Sequence, residues 1–271
     1  MAQIFEILGL PLLACIIMSS MLGYLGIHVL KREVIFVDIA LAQIAAVGSV
    51  AAHLIFKVHS DSVIAYLCSF GCVLIASGFY AFVKNQIFQI SLEAVIGISY
   101  ALAAAAVLFI VGIAPGAHTH IGSILSGSLL WVNMHQIIIM LTVFFITGFA
   151  FYLMRDPITQ ISNTYHQNTY KSNTVLWDFV FYLLLGIVII FSVQIGGIVI
   201  VFSYLIIPAA VALVLNIRAQ LQIPVIWISA LLASSGGLIF AYYFDFSIGP
   251  VIALFLGGEL VIAAIAGVFW G

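Results

Sequence analysis

The chain has 271 residues, of which 65% are hydrophobic and only 6% are charged, and its mean hydropathy is +1.33. Because a water-soluble domain carries about 25% charged residues, this composition excludes a protein whose whole surface faces water. The net charge of −2 leaves no basic excess that would indicate a nucleic-acid-binding protein. The sequence therefore predicts an integral membrane protein.

Apolar stretches that are long enough to cross a membrane recur along the whole chain, since one crossing needs about 20 mostly apolar residues. The first stretch lacks the flanking features of a removed signal peptide, so it is expected to be a retained span. The stretch at 177–215 is about twice as long as one crossing requires, and two glycines in Gln194–Gly197 predict a break there. One broken or re-entrant element at this place would give eight spans. Otherwise nine are predicted, at about 5–30, 35–55, 62–83, 94–113, 133–154, 177–195, 197–215, 223–243 and 248–269.

The positive charges predict the orientation, because cytoplasmic loops carry an excess of lysine and arginine. With the N-terminus outside, only Lys57 falls on the external side. Nine spans then place the C-terminus in the cytoplasm. We therefore expect one domain, 1–271, folded as an all-α bundle of eight or nine transmembrane helices. The basic residues on its inner side are Lys31, Arg32, Lys84, Arg155, Lys171 and Arg218.

Two loops stand out by their length. Residues 155–176 form the only long polar segment, and Asp156 followed by Pro157 is typical of a helix start, since a carboxylate caps free N–H groups and proline suits the first helical position. A cytoplasmic surface helix of about two turns is expected at 158–165. The other loop, 114–132, is external in this orientation. Its two histidines, together with groups at the outer ends of the second and third spans, form a candidate cation-attracting mouth: His53, His59, Asp61, His118 and His120.

Three side chains stand out inside the predicted spans, where ionisable groups are costly to bury and usually serve a function. They are Asp38 and Gln43 in the second span and Glu259 in the last. Asp38 and Gln43 lie about 140° apart around a helix, so they do not form one site by themselves. All three are candidates for a metal pathway, because hard ions prefer oxygen ligands. The alternative for Glu259 is a structural acid that is hydrogen-bonded or held neutral by burial, and the alternative for Asp38 is a role near the cytoplasmic interface.

Motifs of the common enzymes are absent from the sequence. It contains no Gly-x-x-x-x-Gly-Lys-Ser/Thr phosphate loop, no His-Glu-x-x-His and no Gly-x-Ser-x-Gly. The chain is therefore expected to be a non-catalytic transport component, driven by something else and without a permanently bound cofactor.

Four segments, in order along the chain, resemble the permease subunits of bacterial ABC importers for zinc, manganese and iron. The most specific is Gly196–Val201 followed by Leu205–Ala210, which is similar to the family's Val-Gly…Leu-x-Ile-Pro-Ala-Ala signature. Residues 30–50 resemble the arginine and second-span segment, and Glu93–Ile98 resembles an acid-x-x-Ile-Gly-Ile motif. Asp156–Pro157 stands where the family begins its cytoplasmic coupling helix.

The resemblance implies a plasma-membrane importer with two permease chains, two cytoplasmic ATPase subunits and an external solute-binding protein. The transported substrate is then a divalent metal ion. Gly196, Gly197 and Pro208 are implied to form a gate kink, since proline removes a backbone hydrogen bond from a helix. The segment 156–166 is implied to contact the ATPase, through Asp156, Pro157, Ile158, Thr159, Gln160 and Ile161.

The second span departs from the family, whose members commonly carry there a carboxylate and a histidine four residues later. Alignment on Gly48 places Ile39 and Gln43 at these positions, whereas alignment on the acid places Asp38 and Ala42 there. Neither alignment supplies the histidine.

Three other interpretations stay open. A permease for a metal chelate (siderophore, haem or cobalamin) needs a wider, less charged lumen and usually ten spans. A proton-coupled secondary transporter would use Asp38 and Glu259 and would need no ATPase. An intramembrane metal-dependent enzyme would bring these acids and several histidines within about 2–2.5 Å of a metal.

Overall fold

The computed structural model describes residues 2–58, 62–86, 90–113, 127–165 and 174–270. Within these ranges the backbone forms nine α-helices, with a short 3₁₀ turn at Leu129–Trp131, and no strand. In chain order the helices are α1 Ala2–Lys31, α2 Val37–Phe56, α3 Val63–Gln86, α4 Leu92–Ile113, α5 Met134–Leu153, α6 Arg155–Asn163, α7 Thr174–Val214, α8 Ala219–Phe244 and α9 Ile248–Trp270.

Eight of the helices in these ranges are long and apolar enough to cross a membrane. The exception is α6, which has nine residues. Backbone groups in a bilayer must be hydrogen-bonded within the protein, and a helix achieves this by itself. The all-α membrane fold expected from the sequence is thereby confirmed.

The long helix α7 has 41 residues, and its only non-helical backbone conformation is at Gly197, with φ 78° and ψ 165°. A glycine adopts such a positive φ without steric cost. At 1.5 Å per residue the element is about 60 Å long, which is twice the hydrocarbon thickness of about 30 Å. The break predicted at Gln194–Gly197 is therefore present, inside one element rather than in a loop.

The chain divides into two compact units. The central unit contains residues 31–124 and 146–191, and the terminal unit contains residues 1–30, 125–145 and 192–271. Each unit is thus assembled from segments that are distant in the sequence.

In the central unit, α2 packs against both α3 and α4. The hydroxyl of Ser69 on α3 donates a hydrogen bond of 2.8 Å to the carbonyl oxygen of Ala45 on α2. Small and β-branched side chains allow this close packing of membrane helices. Those between α2 and α4 are Ala46, Val50, Val107 and Val111.

In the terminal unit, α1 lies against α7 with almost no space between the two backbones. A Cβ atom on Gly26 would be 1.8 Å from the carbonyl oxygen of Leu205. The adjoining apolar cluster joins α1, α7 and α8 through Ile27, Ala209, Ala212 and Ile226. Glycine is therefore required at position 26 by the approach of the two helices.

We expect Gly26→Ala to lower the thermal stability of the purified protein, because the added methyl group would overlap a backbone atom. Overpacking of a core costs about 1–3 kcal/mol. Gly9→Ala, on the same helix, is the matched control, since a Cβ there meets no atom within 4 Å. Size-exclusion chromatography after heating measures the melting midpoint of each variant. A midpoint for Gly26→Ala equal to that of the control would contradict this packing.

Candidate functional site

Asp38 lies in the first turn of α2 and is 2% exposed. Its Oδ1 atom is buried and has no hydrogen-bond partner in the described part of the chain. A buried carboxylate oxygen without a donor is energetically costly. This oxygen is therefore available to a cation or a proton.

A second carboxylate lies beside Asp38. The backbone N–H of Phe36 donates a hydrogen bond of 3.0 Å to Oε1 of Glu93, and Glu93 is close enough to Asp38 to interact with it electrostatically. The Oε2 atom of Glu93 is buried and lacks a partner among the described residues. Because α2 packs against α4, the starts of these two helices bring the two acids together. Glu93 does not cap its own helix; the Ser91 hydroxyl accepts the N–H of Ala94 there.

The other two pathway candidates have different surroundings. Gln43 is half-buried on α2, about 140° around the helix from Asp38. Glu259, on α9 in the terminal unit, is half-buried and accepts a hydrogen bond from the hydroxyl of Ser229 on α8. Among the described residues no three His, Cys, Asp or Glu side chains come together as a metal site.

Of the five residues of the predicted external mouth, the structure describes only His53. With its hydrogen on Nδ1, the His53 ring donates to the carbonyl oxygen of Val58 at 2.6 Å. This contact lies where α2 ends, beside the left-handed residue Lys57. The remaining four candidates, His59, Asp61, His118 and His120, lie outside the described residues.

The opposite end of α2 adjoins a buried ion cluster, formed by Arg32, Lys84 and Asp178. One oxygen of Asp178 is 2.6 Å from Nη1 of Arg32, and the other is 2.6 Å from Nζ of Lys84. The side chains of Arg32 and Asp178 are fully buried, and that of Lys84 is 12% exposed. A buried ion pair repays the desolvation of its charges only with such close geometry.

The cluster contains two cations and one anion, and aromatic rings face both cations. The guanidinium carbon of Arg32 is 3.9 Å from the ring centroid of Phe181, and Nζ of Lys84 is 3.8 Å from that of Tyr165. The electron-rich face of an aromatic ring attracts a cation. These rings therefore offset part of the excess positive charge.

The cluster is attached directly to α6, the predicted coupling helix. Nε of Arg32 donates a hydrogen bond of 3.0 Å to Oγ of Ser162, and Nζ of Lys31 donates one of 2.8 Å to Oδ1 of Asn163. Ile158 and Ser162 are the buried residues of α6. The helix is thus held by one buried face and by two consecutive basic side chains, Lys31 at the end of α1 and Arg32 directly after it.

The start of α6 differs from the prediction. The helix begins at Arg155, preceded by Met154, and no side chain caps it. Asp156 therefore lies inside the first turn, where its Oδ1 is 3.3 Å from Nε of Arg155. Pro157 does not prevent this earlier start, because the first N–H groups of a helix have no intrahelical acceptor.

The predicted gate residues lie in α7. The carbonyl oxygens that precede the break accept hydrogen bonds from Ser128, whose N–H lies 3.0 Å from Ile195 O and whose hydroxyl lies 3.3 Å from Gln194 O. The neighbouring Gly127 has φ 70° and contacts Gly196. Further along, α7 continues through Pro208 to Val214. The break at Gly197 is thereby supported from outside the helix.

The ion cluster was not predicted from the sequence. Arg32 and Lys84 were expected on the inner side of the membrane, and no partner was predicted for either of them. The available signal was that Asp178 is the only charged residue in 174–214. An acid at the end of so apolar an element requires basic partners, and the sequence does not say which of seven basic residues supply them.

Solved structures that share the fold of this chain include the following two. PsaBC from Streptococcus pneumoniae in complex with Fab matches with a TM-score of 0.76 and 18% identity, over 97% of this chain and 94% of the other. A metal-chelate type ABC transporter in an inward-facing conformation matches with a TM-score of 0.68 and 17% identity, over 95% of this chain and 85% of the other. A search of curated proteins gives no match.

The sequence model of the ABC 3 transport family matches residues 4–267. With eight membrane-spanning helices in its described part, the chain is a multi-pass protein of the bacterial plasma membrane. Because the match covers nearly its whole length, the chain belongs to the ABC 3 transport family and is a membrane permease of an ABC transporter.

Proposed function

We propose that this permease forms the path of an importer for a divalent metal ion, namely manganese, zinc or iron. An external solute-binding protein delivers the ion, two copies of the chain form the path, and separate cytoplasmic ATPase subunits hydrolyse ATP. The observation that carries the proposal is the attachment of α6, a short polar helix, to a buried ion cluster. Such a helix is suited to receive a force from a partner protein.

The exposed face of α6 is the proposed contact with the ATPase. The side chains of Arg155 and Asp156 are 58% and 91% exposed, and Gln160 is also exposed. Ile158 is fully buried, so its part is to anchor the helix rather than to touch a partner. Pro157, Thr159 and Ile161 are half-buried at the edges of this face.

The metal ion is proposed to meet oxygen ligands. Asp38 and Glu93 each have a buried oxygen without a partner in the described chain. Gln43 and Glu259 remain candidates for other points along the path. Carboxylate and amide oxygens favour hard ions such as manganese, and the second span has no histidine four residues after its acid, where a nitrogen ligand would favour zinc. Two acids were predicted inside the spans, Asp38 and Glu259. Glu259 is the weaker candidate, because it already accepts a hydrogen bond from Ser229.

A metal chelate is the second candidate substrate. It is supported by the likeness to the transporter of the metal-chelate type. The eight spanning helices in the described residues favour the ion, since chelate permeases usually have ten spans.

Reconstitution in proteoliposomes with candidate ATPase and solute-binding partners tests this function. We expect uptake of radioactive manganese, zinc or iron that requires ATP hydrolysis and stops with a non-hydrolysable analogue. Ferric siderophore, haem and cobalamin are assayed in parallel for the second candidate. Uptake without ATP hydrolysis would overturn the proposal and would favour a proton-coupled transporter.

Asp38→Asn is expected to reduce metal uptake by about ten-fold or more, because it removes the charge of a proposed ligand while keeping its shape. Asp245→Asn is the matched control. Asp245 is exposed and has φ 55°, a conformation that asparagine also tolerates. The initial rate of uptake at equal protein amounts measures the effect. Normal uptake by Asp38→Asn would exclude this carboxylate from the path.

A further inference from the structure

The contacts around Asp178 form a closed ring that begins and ends at the C-terminal end of α6. From Ser162 the ring passes to Arg32, then to Asp178, then to Lys84. It returns from Lys84 to Tyr165, two residues beyond the end of α6. The end of α6 is therefore tied at two points to a single carboxylate.

The ring also joins α6 to three other elements of the central unit. Arg32 directly follows α1 and lies in the link 32–36 that leads into α2. Lys84 lies in the last turn of α3, and Asp178 lies near the start of α7. If α6 moves without these elements, the buried guanidinium of Arg32 loses the hydroxyl of Ser162, and the ammonium of Lys84 loses the ring of Tyr165. Removing a partner from a buried charged group is costly, so α6 is constrained to move with Arg32 and Lys84. The ion pairs constrain Arg32 and Lys84 in turn to move with Asp178.

We propose that Asp178 is a positioning residue for transport, which passes a displacement of α6 to α2, α3 and α7 through Arg32 and Lys84. This inference rests on the proposed function, in which a partner ATPase displaces α6. Ser162 is the residue of α6 that the cluster contacts directly, through Arg32. In this proposal the exposed face of α6 determines which partner binds. The buried ring of contacts determines which helices move when the partner displaces α6.

The attachment of α6 is tested first on the purified permease, without partners. Ser162→Ala removes the hydroxyl that accepts from Arg32. Thr164→Val is the matched control. Each hydroxyl donates to the carbonyl oxygen four residues earlier, that of Ser162 to Ile158 and that of Thr164 to Gln160, but Thr164 is exposed. Hydrogen–deuterium exchange of peptides covering 155–165 is expected to be several-fold faster in Ser162→Ala and unchanged in the control. Equal exchange in both variants would overturn the attachment.

The transmission of a displacement from α6 to α2, α3 and α7 is tested by measuring the number of ATP molecules hydrolysed per metal ion transported. The triple variant Arg32→Met, Lys84→Met, Asp178→Leu replaces the whole cluster by apolar side chains, which commonly preserves a fold. We expect it to assemble with the ATPase and hydrolyse ATP, while the ratio of ATP to metal rises at least about five-fold. Ser162→Ala is expected to raise the ratio in the same direction, and this single variant serves if the triple variant does not fold.

The outcomes distinguish failure of the proposed function from failure of the positioning role of Asp178. If the wild-type complex shows no ATP-dependent uptake, the proposed function fails, whatever the exchange experiment on the isolated permease shows. If the wild type transports normally and the variants keep its ratio of ATP to metal, the proposed function stands and the positioning role of Asp178 is overturned. A cluster that only stabilised the fold would change the amount of complex and leave this ratio unchanged.

Discussion

The carboxylate of Asp178 is the group on which one end of the central unit depends. Each of its oxygens is 2.6 Å from a basic side chain, Arg32 or Lys84. Without it, two cations would lie in an apolar interior, with two aromatic rings and the hydroxyl of Ser162 as their partners. The energetic consequence is that α3, α6, α7 and the segment before α2 have one favourable arrangement at this end. A membrane protein that must transmit a displacement over a distance benefits from such a constraint, since loosely packed elements would absorb the movement.

The acids of this chain differ in how completely their oxygens are bonded, and the difference separates their proposed roles. Both oxygens of Asp178 are paired, which suits a structural charge. Asp38 and Glu93 each retain a buried oxygen without a partner in the described chain, which suits a group that binds and releases a cation. Glu259 stands between these cases, because it accepts a hydrogen bond from Ser229. Burial alone would not distinguish them, since Asp38 and Asp178 are both almost completely buried.

The break in α7, in the terminal unit, depends on two residues with different contributions. Gly197 supplies a backbone conformation that other residues adopt at a cost. Ser128 donates to the carbonyl oxygens of Gln194 and Ile195, so the interrupted helix keeps its polar groups bonded in a medium that offers few alternatives. The glycine permits the break, and a residue almost 70 positions earlier in the chain stabilises it.

The sequence by itself determined the membrane class, the helical fold, the approximate limits of the spans and the position of the break at Gly197. These follow from local properties, namely the length of apolar runs and the conformational freedom of glycine. The start of α6 was misplaced, because the signal from Asp156 and Pro157 is compatible with more than one starting residue. Only the tertiary structure decided that Asp178 pairs with Arg32 and Lys84, and that Glu93 lies beside Asp38. These pairs join residues 55 to 146 positions apart, and one sequence contains no local pattern that selects a partner at such a separation.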